Sequence, residues 1–301
     1  LIVVTSEDPQ PAPGAWDYWD FSGPGADGGV LEYTRFSYGG YNGSSGAEVS
    51  ASNGAGPTIG DSGFSQSIGV GLYLDDGSRS VVRGCVFEQN ASYGISTPAD
   101  DAANISQSAT HLDQPGIRVR GSDITHTGTW QAQDAPYVLD GGVTLDAQVL
   151  ITVQPGTLIQ MNDNAWFSVR GTLLARGSAN APIIITSADA HPAPGAWDYW
   201  DFNGPSAGGS VLDYVQVTYG GYNGSSGAEV SASNGATPTI THSLIASSIG
   251  DGIYVDSGQP VIAFNTFQQN ANFAISVPAK DPTHVHDNQY VGNQKGLEVR
   301  S

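Results

Sequence analysis

The sequence contains one cysteine, Cys85, one methionine and only two lysines, Lys280 and Lys295. A single cysteine excludes an intrachain disulfide and a metal cluster held by several cysteines. Charged residues make up 13% of the chain, about half the usual share, while 40 of 301 residues are glycine. This composition excludes a protein built from surface helices rich in Glu and Lys. No apolar run approaches the roughly 18 residues of a membrane-spanning helix.

The charges that are present are mostly negative. Ten Lys and Arg residues stand against 29 Asp and Glu residues, which gives a formal net charge of −19. Such a chain repels phosphate backbones and anionic lipid headgroups. We therefore expect neither a nucleic-acid partner nor insertion into a membrane. The chain also begins without methionine, so we expect a processed or excised segment.

A long internal repeat dominates the sequence. The segment PAPGAWDYWDF occurs at 11–21 and again at 192–202, and YGGYNGSSGAEVSASNGA occurs at 38–55 and again at 219–236. The offset in residue number is 181 for both pairs. Self-similarity at a fixed offset is typical of repeat architectures.

The repeat divides the chain into one full copy, residues 1–181, and one partial copy, residues 182–301. The segment from about 122 to 181 occurs once, and Val149–Val153 continues the apolar pattern through it. A polar linker between two separate domains lacks such a pattern. The sequence therefore predicts a single continuous solenoid over residues 1–301.

A shorter repeat, with a period of 22 to 23, lies within each copy. Short apolar runs recur at 253–255, 275–277 and 297–299. Runs of Val, Ile, Tyr and Phe separated by Gly, Asn, Asp and Ser are typical of strands with tight corners. The period predicts an all-β solenoid of about 13 turns, in which each strand pairs in parallel with its equivalents above and below. Polar residues recur at the same spacing, and we expect them to form a stacked ladder at the turns: Ser243, Asn265, Asn270, Asn288 and Asn293.

Several segments in order resemble the right-handed parallel β-helix family, the pectate-lyase-like solenoids, and in particular the repeat modules of bacterial secreted and surface proteins. The resemblance rests on Asn265-x-Phe267-x-x-Asn270 and on the segments VQPGTLIQM (153–161), VRGTLLARG (169–177), PIIITS (182–187) and LDYVQVTYGG (212–221). It implies a right-handed parallel β-helix over essentially the whole chain, in an extracellular or cell-surface protein. The fold hosts lyases, hydrolases, adhesins and stalks, so the resemblance does not decide the function.

The segment PAPGAWDYWDF at 11–21 and at 192–202, which we call the aromatic segment of each copy, departs from such modules. They commonly place two glycines directly after the first tryptophan. Aromatic rings stack on the CH faces of sugars as well as on core neighbours. We therefore consider the following residues a candidate carbohydrate-binding face, with a role inside the solenoid as the alternative: Trp16, Tyr18, Trp19, Trp197, Tyr199 and Trp200.

Other candidate sites have weaker support. The acid pairs Asp75–Asp76 and Asp100–Asp101 could serve a polysaccharide-cleaving enzyme, but neighbouring residues on a strand face opposite sides, so we assign no catalytic residue. His284 and His286 could begin a zinc site or be corner histidines, and no further ligand is evident. Cys85 stands where the second copy has Asn265, which indicates a small residue in a ladder.

The glycine-rich loop at 38–46 is compatible with a plain corner, a calcium site or a contact loop. We expect no resident cofactor or metal, with calcium left open.

Two functions remain open. The first is a non-catalytic extracellular structural or adhesive solenoid, a stalk, sheath or fibre subunit that self-associates end to end through its open strand edges. The second is a carbohydrate-active β-helix that binds or cleaves a cell-surface polysaccharide as a lyase or hydrolase. A calcium-stabilised adhesin is a third class and predicts a melting temperature that falls when a chelator is added.

Overall fold

The computed structural model describes residues 1–111, 116–280 and 284–301. The chain divides into two compact units. The first contains Leu1–Arg120 and Gln133–Val138, and the second contains Gly121–Ala132 and Leu139–Ser301. Both are built from short strands with a few short 3₁₀ helices, so the predicted all-β class is confirmed. The prediction of one continuous solenoid over 1–301 stays a prediction.

The first unit is a stack of β coils. Its strands are β1 Ile2–Val4, β2 Trp19–Ser22, β3 Val30–Glu32, β4 Thr34–Ser37, β5 Val49–Ser52, β6 Thr58–Gly60, β7 Gly63–Ser65, β8 Leu72–Leu74, β9 Val81–Arg83, β10 Val86–Glu88, β11 Ile95–Pro98, β12 Ile105–Ser106, β13 Ala109–His111 and β14 Ile117–Arg120. Its 3₁₀ helices are η1 Pro24–Ala26, η2 Ser44–Gly46 and η3 Ala99–Asn104.

The second unit has the same architecture, and β17, Tyr137–Asp140, has residues in both units. Its other strands are β15 Asp123–Ile124, β16 Gly128–Trp130, β18 Gly142–Leu145, β19 Leu150–Val153, β20 Leu158–Met161, β21 Trp166–Val169, β22 Thr172–Arg176, β23 Ile183–Ser187, β24 Trp200–Asn203, β25 Val211–Asp213, β26 Val215–Thr218, β27 Val230–Ser233, β28 Thr239–Thr241, β29 Leu244–Ala246, β30 Ile253–Val255, β31 Val261–Ala263, β32 Thr266–Gln268, β33 Phe273–Pro278, β34 Val285–His286, β35 Gln289–Val291 and β36 Lys295–Arg300. Its 3₁₀ helices are η4 Pro205–Gly209 and η5 Ser225–Gly227.

Every third strand along the chain belongs to the same sheet, because each coil contributes one strand to each of three sheets. In the first unit the sheet orders are β1-β4-β7-β10-β13, β2-β5-β8-β11-β14 and β3-β6-β9-β12. In the second unit they are β15-β18-β21-β24-β27-β30-β33-β36, β16-β19-β22-β25-β28-β31-β34 and β20-β23-β26-β29-β32-β35. Strands of successive coils pair in parallel, as the 22-residue period predicts.

Like residues lie on like along the interior of each unit. Val49, Leu72, Ile95 and Ile117 are register partners on four successive coils, and all four are fully buried. Burial of each such side chain contributes about 1.5–3 kcal/mol relative to its exposure. The next residue along each of these strands points to the opposite face of the sheet, as the two-residue alternation of side chains requires. These residues are Ser50, Tyr73, Ser96 and Arg118.

Coil length varies with position in the repeat. Ser50 pairs with Tyr73 and Tyr73 pairs with Ser96, and the sequence separation is 23 in both cases. On its other side Ser50 pairs with Asp20, at a sequence separation of 30. The longer coil contains η1 and η2 at its corners. The glycine-rich loop therefore lengthens a coil without disturbing the strand register on either side of it.

The 181-residue repeat is kept strand by strand. Strands β1 to β14 of the first copy correspond in order to strands β23 to β36 of the second. The connecting segment, residues 122–181, supplies β15 to β22. None of the helices in the described residues has the length and apolar character needed to span a membrane.

Candidate functional site

The first tryptophan of each aromatic segment anchors the glycine-rich loop, with Trp197 fully buried and Trp16 half-buried. The indole Nε1 of Trp16 donates to the carbonyl of Ser37 at 2.7 Å, and that of Trp197 donates to the carbonyl of Thr218 at 2.8 Å. A Cβ on Gly39 would lie 2.4 Å from the Trp16 ring, so only glycine allows the loop to cross it. The two rings therefore hold the loop onto the coil.

The second tryptophan differs between the copies. Trp19 is 49% exposed, whereas Trp200 is fully buried, with its ring centroid 4.8 Å from that of Phe167. The prediction of an exposed aromatic face is therefore wrong for Trp197 and Trp200. Trp197 lies beneath the loop and Trp200 lies beneath the coil that precedes it, so neither ring can reach a ligand from the surface.

The tyrosine of each segment remains at the surface. Tyr18 is exposed, and Tyr199 is half-buried with its ring stacked at 6.3 Å on that of Trp166. Burial raises the pKa of Tyr199, and the carboxylates of Asp201 and Asp198 raise it further. The phenol is therefore a neutral hydrogen-bonding group at physiological pH.

A small polar cleft opens beside Tyr199 on the outer side of β24 and β27. We call it the Asp–Ser cleft. Its volume is about 180 Å³, and its lining residues are Tyr199, Asp201, Asn223, Ser225, Ser231 and Ser233. Parallel pairing of the two strands sets Asp201 opposite Ser231. The outward-facing positions of both strands thus carry the polar groups.

Hydrogen bonds hold the carboxylate of the Asp–Ser cleft in place. Asp201 accepts from the Ser231 hydroxyl at 2.8 Å and from the Ser233 hydroxyl at 3.0 Å. Asn223 donates its amide N–H to Asp198 Oδ1 at 2.9 Å. The arrangement offers a carboxylate, hydroxyls and an aromatic ring in one place, which are the groups that contact a sugar.

The same arrangement occurs at the equivalent positions of the first copy. Asp20 accepts from the Ser50 hydroxyl at 2.7 Å and from the Ser52 hydroxyl at 2.8 Å. Asn42 donates to Asp17 Oδ1 at 3.0 Å. Both strands of this pair belong to the repeat itself, so the sequence repeat reproduces the geometry.

A tyrosine–arginine pair lies further along the same sheet in each copy. The Arg120 guanidinium lies 4.4 Å from the Tyr73 ring centroid, and that of Arg300 lies 4.0 Å from the Tyr254 ring centroid. Arg120 also donates to the carbonyl of Leu74 at 2.8 Å. Each arginine reaches back across two coils, so the pair braces the outer face of the sheet beyond the Asp–Ser cleft.

The predicted polar ladder lies at the turns of the second unit. Asn265 donates through Nδ2 to the carbonyl of Ile240 at 2.8 Å and accepts at Oδ1 from the amide of Ser243 at 2.9 Å. Asn288 repeats the pattern one coil further on, since its Oδ1 accepts from the Asn265 amide and its Nδ2 donates to the Ile262 carbonyl. Each asparagine satisfies backbone groups of the preceding coil, which would otherwise be buried without partners.

A second ladder runs parallel to the first. Asn270 Oδ1 accepts from the amide of Ser248 at 3.1 Å, and Asn293 Oδ1 accepts from the amide of Asn270 at 3.0 Å.

Cys85 occupies the place of Asn265 in the first copy, with its Sγ 3.6 Å from the carbonyl of Ile59. Burial raises the pKa of the Cys85 thiol to about 11, which favours the protonated thiol over the reactive thiolate at neutral pH.

One member of each acid pair, Asp101 and Asp76, is bound to a partner outside the pair. Asp101 is buried and accepts from the Ser78 hydroxyl at 2.8 Å and from the Arg79 amide at 3.1 Å. Asp76 is exposed and pairs with Arg120 at 3.2 Å. One acid thus fixes a turn and the other is a surface ion pair.

Each copy also contains a buried glutamate that the sequence pattern did not predict. Glu48 accepts from the amide of Gly39 at 3.0 Å, and Glu229 accepts from the amide of Gly220 at 3.1 Å. Burial raises the pKa of Glu48 to about 8, against the lowering effect of the Gly39 and Ser65 amides, and raises the pKa of Glu229 well above its usual range. The available signal was a lone acid within the run of small and apolar residues that precedes β5 and β27.

A row of stacked rings on the second copy was also not predicted. Tyr214, His242 and Phe264 stack on successive coils with centroid separations of 4.9 and 5.6 Å, and His286 meets Phe264 edge-on at 5.7 Å. His286 Nδ1 lies 2.9 Å from a carboxylate oxygen of Asp287.

In residues 1–111, 116–280 and 284–301, no three His, Cys, Asp or Glu side chains are grouped to hold a metal ion.

A larger groove, about 630 Å³, occurs in the first unit alongside Tyr33, Arg35 and Glu88. Its lining includes Gly63, and the second copy has Leu244 at that position. The groove therefore belongs to one copy. The hydrogen bonds from two serines to one aspartate, which we call the Asp–Ser arrangement, occur in both copies.

Residues 24–130 match the family model described as right-handed beta helix region. The matched segment covers β3 to β16, and the match and the parallel sheets together identify the fold as a right-handed parallel β-helix. No curated protein and no solved structure matches the chain.

Proposed function

We propose that this chain is a non-catalytic solenoid segment of an extracellular structural or adhesive protein, such as a stalk, sheath or fibre subunit. The observation that carries the proposal is the pair of asparagine ladders. Asn265 and Asn270 each satisfy buried backbone groups of the preceding coil, so the polar residues inside the turns serve the stacking of coils. Stability in such a stack accrues from each coil and its neighbours.

The hydrogen bonds of three buried acids support the same proposal. Asp101, Glu48 and Glu229 each bind the backbone of a turn or loop. These three carboxyl groups, which are the type of group that acid–base catalysis uses, each accept a hydrogen bond from the backbone of a turn or loop.

A turnover assay tests the proposal. The protein is incubated with a panel of neutral and acidic polysaccharides, with and without Ca²⁺, while unsaturated products and new reducing ends are followed. We expect no turnover on any member of the panel. Turnover that is lost in Asp201→Asn or Asp20→Asn would contradict a non-catalytic role. Immunoelectron microscopy of the native source should place the protein at the cell surface.

The Asp–Ser cleft favours polysaccharide binding as a second candidate function. An identical set of carboxylate, hydroxyl, amide and phenol groups occurs in both copies, at Asp20 and Asp201 among others. Each copy therefore offers one candidate contact point for a sugar unit, at Asp20 and at Asp201.

Affinity electrophoresis tests this second candidate. Retardation in a polysaccharide gel should be lost in the double variant Tyr18→Ala with Tyr199→Ala and reduced in each single variant. Tyr137→Phe, in a fully buried tyrosine away from the surface, is a matched control and should leave the retardation unchanged. Trp200→Ala is unsuitable here because the ring is buried and its removal damages the fold.

A further inference from the structure

Apolar side chains are exposed along the unpaired edges of β1 and β2 and at two neighbouring residues, Tyr18, which precedes β2, and Val30, which begins β3. We call this surface the β1–β2 face and define it by Ile2, Val3, Tyr18, Trp19 and Val30, all of which are exposed. Among the described residues, β1 and β2 are the first strands of their sheets, so one edge of each is unpaired. An apolar strand edge of this kind is a template for pairing with another strand.

The composition of the β1–β2 face is that of a buried strand. Exposed edges in folded proteins usually carry lysine, proline or inward-pointing charge, which block pairing. Strand β1 reads IVV and β2 reads WDFS, and the one charged side chain in them, Asp20, is bonded to Ser50 and Ser52 of the neighbouring strand. The edge thus carries none of the usual protection.

The second copy shows what covers the equivalent strands. Strands β23 and β24 correspond to β1 and β2, and they pair in parallel with β20 and β21 of the connecting segment. Trp200, the equivalent of Trp19, packs on Phe167 and is fully buried. Val211, the equivalent of Val30, pairs with Leu174.

Backbone hydrogen bonds complete this contact in the second copy. The Phe167 amide donates to the carbonyl of Tyr199 at 3.0 Å, and the Asp198 amide donates to the carbonyl of Ala165 at 3.0 Å. The equivalent groups in the first copy are the Tyr18 carbonyl and the Asp17 amide. The first copy therefore presents the side chains and the backbone groups of one half of a contact that the second copy completes.

We propose that the β1–β2 face binds a solenoid coil with the residue pattern of β20 to β22, which is the coil that covers the equivalent strands in the second copy. Each 181-residue module then provides, in residues 158–176, the coil on which the next module stacks. This contact between modules does not depend on whether the solenoid is catalytic.

The test extends the chain by one connecting segment. A second copy of residues 122–181 is placed directly before Leu1, so that Leu1 follows Ala181 as Pro182 does in the natural sequence. Hydroxyl-radical labelling with mass spectrometry then measures the oxidation of Trp19 and Trp200 in one molecule. We expect Trp19 oxidation to fall to the level of Trp200, which is protected throughout and reports that the fold is intact.

A matched control carries Phe167→Asp and Ile159→Asp in the added segment only. Trp19 should then stay as reactive as in the unextended chain. The proposal is overturned if the intact added segment leaves Trp19 reactive, or if the control segment protects it equally. It is also overturned if the unextended chain protects Trp19 increasingly with protein concentration, because a second copy of the chain would then be the occupant.

Discussion

Residues 16–21 and 197–202 have the same sequence and different surroundings. In the second copy a preceding coil covers the segment and Trp200 is fully buried. In the first copy nothing among the described residues covers it and Trp19 is half-exposed. The burial of an aromatic residue in a solenoid is therefore a property of the adjacent coil, because stacking takes place between coils.

Other features are identical in the two copies. The carboxylates of Asp20 and Asp201 accept from equivalent serine hydroxyls, and Glu48 and Glu229 accept from equivalent glycine amides. In each case both partners lie inside the repeat. Contacts within the repeat are therefore copied with the sequence, whereas contacts across its beginning depend on what precedes it.

The largest difference between the copies is expected for tryptophan truncation. Trp200→Ala should lower the free energy of unfolding by about 3–5 kcal/mol, because a fully buried aromatic ring is replaced by a cavity. Trp19→Ala should lower it by no more than about 1–2 kcal/mol, because half of that ring is already in water. Urea unfolding followed by far-ultraviolet circular dichroism measures both. Equal losses would show that Trp19 is covered in solution.

The buried glutamates should produce a pH-dependent effect in both copies. Glu48 keeps its proton in the folded state up to about pH 8, whereas the unfolded chain releases it near the ordinary pKa of 4.5. The folded state therefore binds more protons between these values, and its stability falls as pH rises through this window. Glu48→Gln does not titrate, so it should become progressively more stable than the parent protein by up to a few kcal/mol.

Unfolding midpoints measured across the same window check this prediction. Glu229→Gln should show the same sign, since burial raises the pKa of Glu229 as well. Glu88→Gln, at an exposed position, serves as the control for general charge removal. A constant difference between Glu48→Gln and the parent protein at all pH values would contradict the assignment of a protonated Glu48.

The ladder position should be more costly to truncate in the second copy than in the first. Asn265→Ala removes two hydrogen bonds to buried backbone groups and should cost about 2–3 kcal/mol. Cys85→Ala, at the equivalent position, removes a small buried side chain and should cost about 1 kcal/mol. Chemical unfolding of the two variants gives the comparison. A larger loss for Cys85→Ala would show that the thiol has a further role.

The smallest effect is expected at an exposed turn position. Phe264 has a φ of 61°, and its equivalent Gly84 has a φ of 63°. Phe264→Gly relieves a strained backbone but removes the stacking on His242, two effects of about 1 kcal/mol each and opposite sign. The melting temperature should therefore hardly change. A large decrease would show that the stacked rings support the fold.

The strands, the parallel stacking and the asparagine ladder were predictable from the sequence because each depends on a short period. Asn265 and Asn288, for example, are one coil apart and meet in the structure. The 30-residue coil that begins at Asp20 was not predictable, because the lengthening is absorbed at corners that carry no periodic signal. Glu48 was missed because a lone acid in a sequence does not reveal its depth.

The amino-acid sequence by itself determined that this chain winds into stacked coils, since a 22-residue period of β-branched and turn residues favours that backbone and few others. It also determined that the Asp–Ser arrangement occurs twice, because both of its strands lie inside the repeat. Only the tertiary structure decided that Trp200 is internal while Trp19 is at the surface, and that burial raises the pKa of Glu48 and of Glu229. Burial and desolvation depend on neighbours from other coils, and identical segments can have different neighbours.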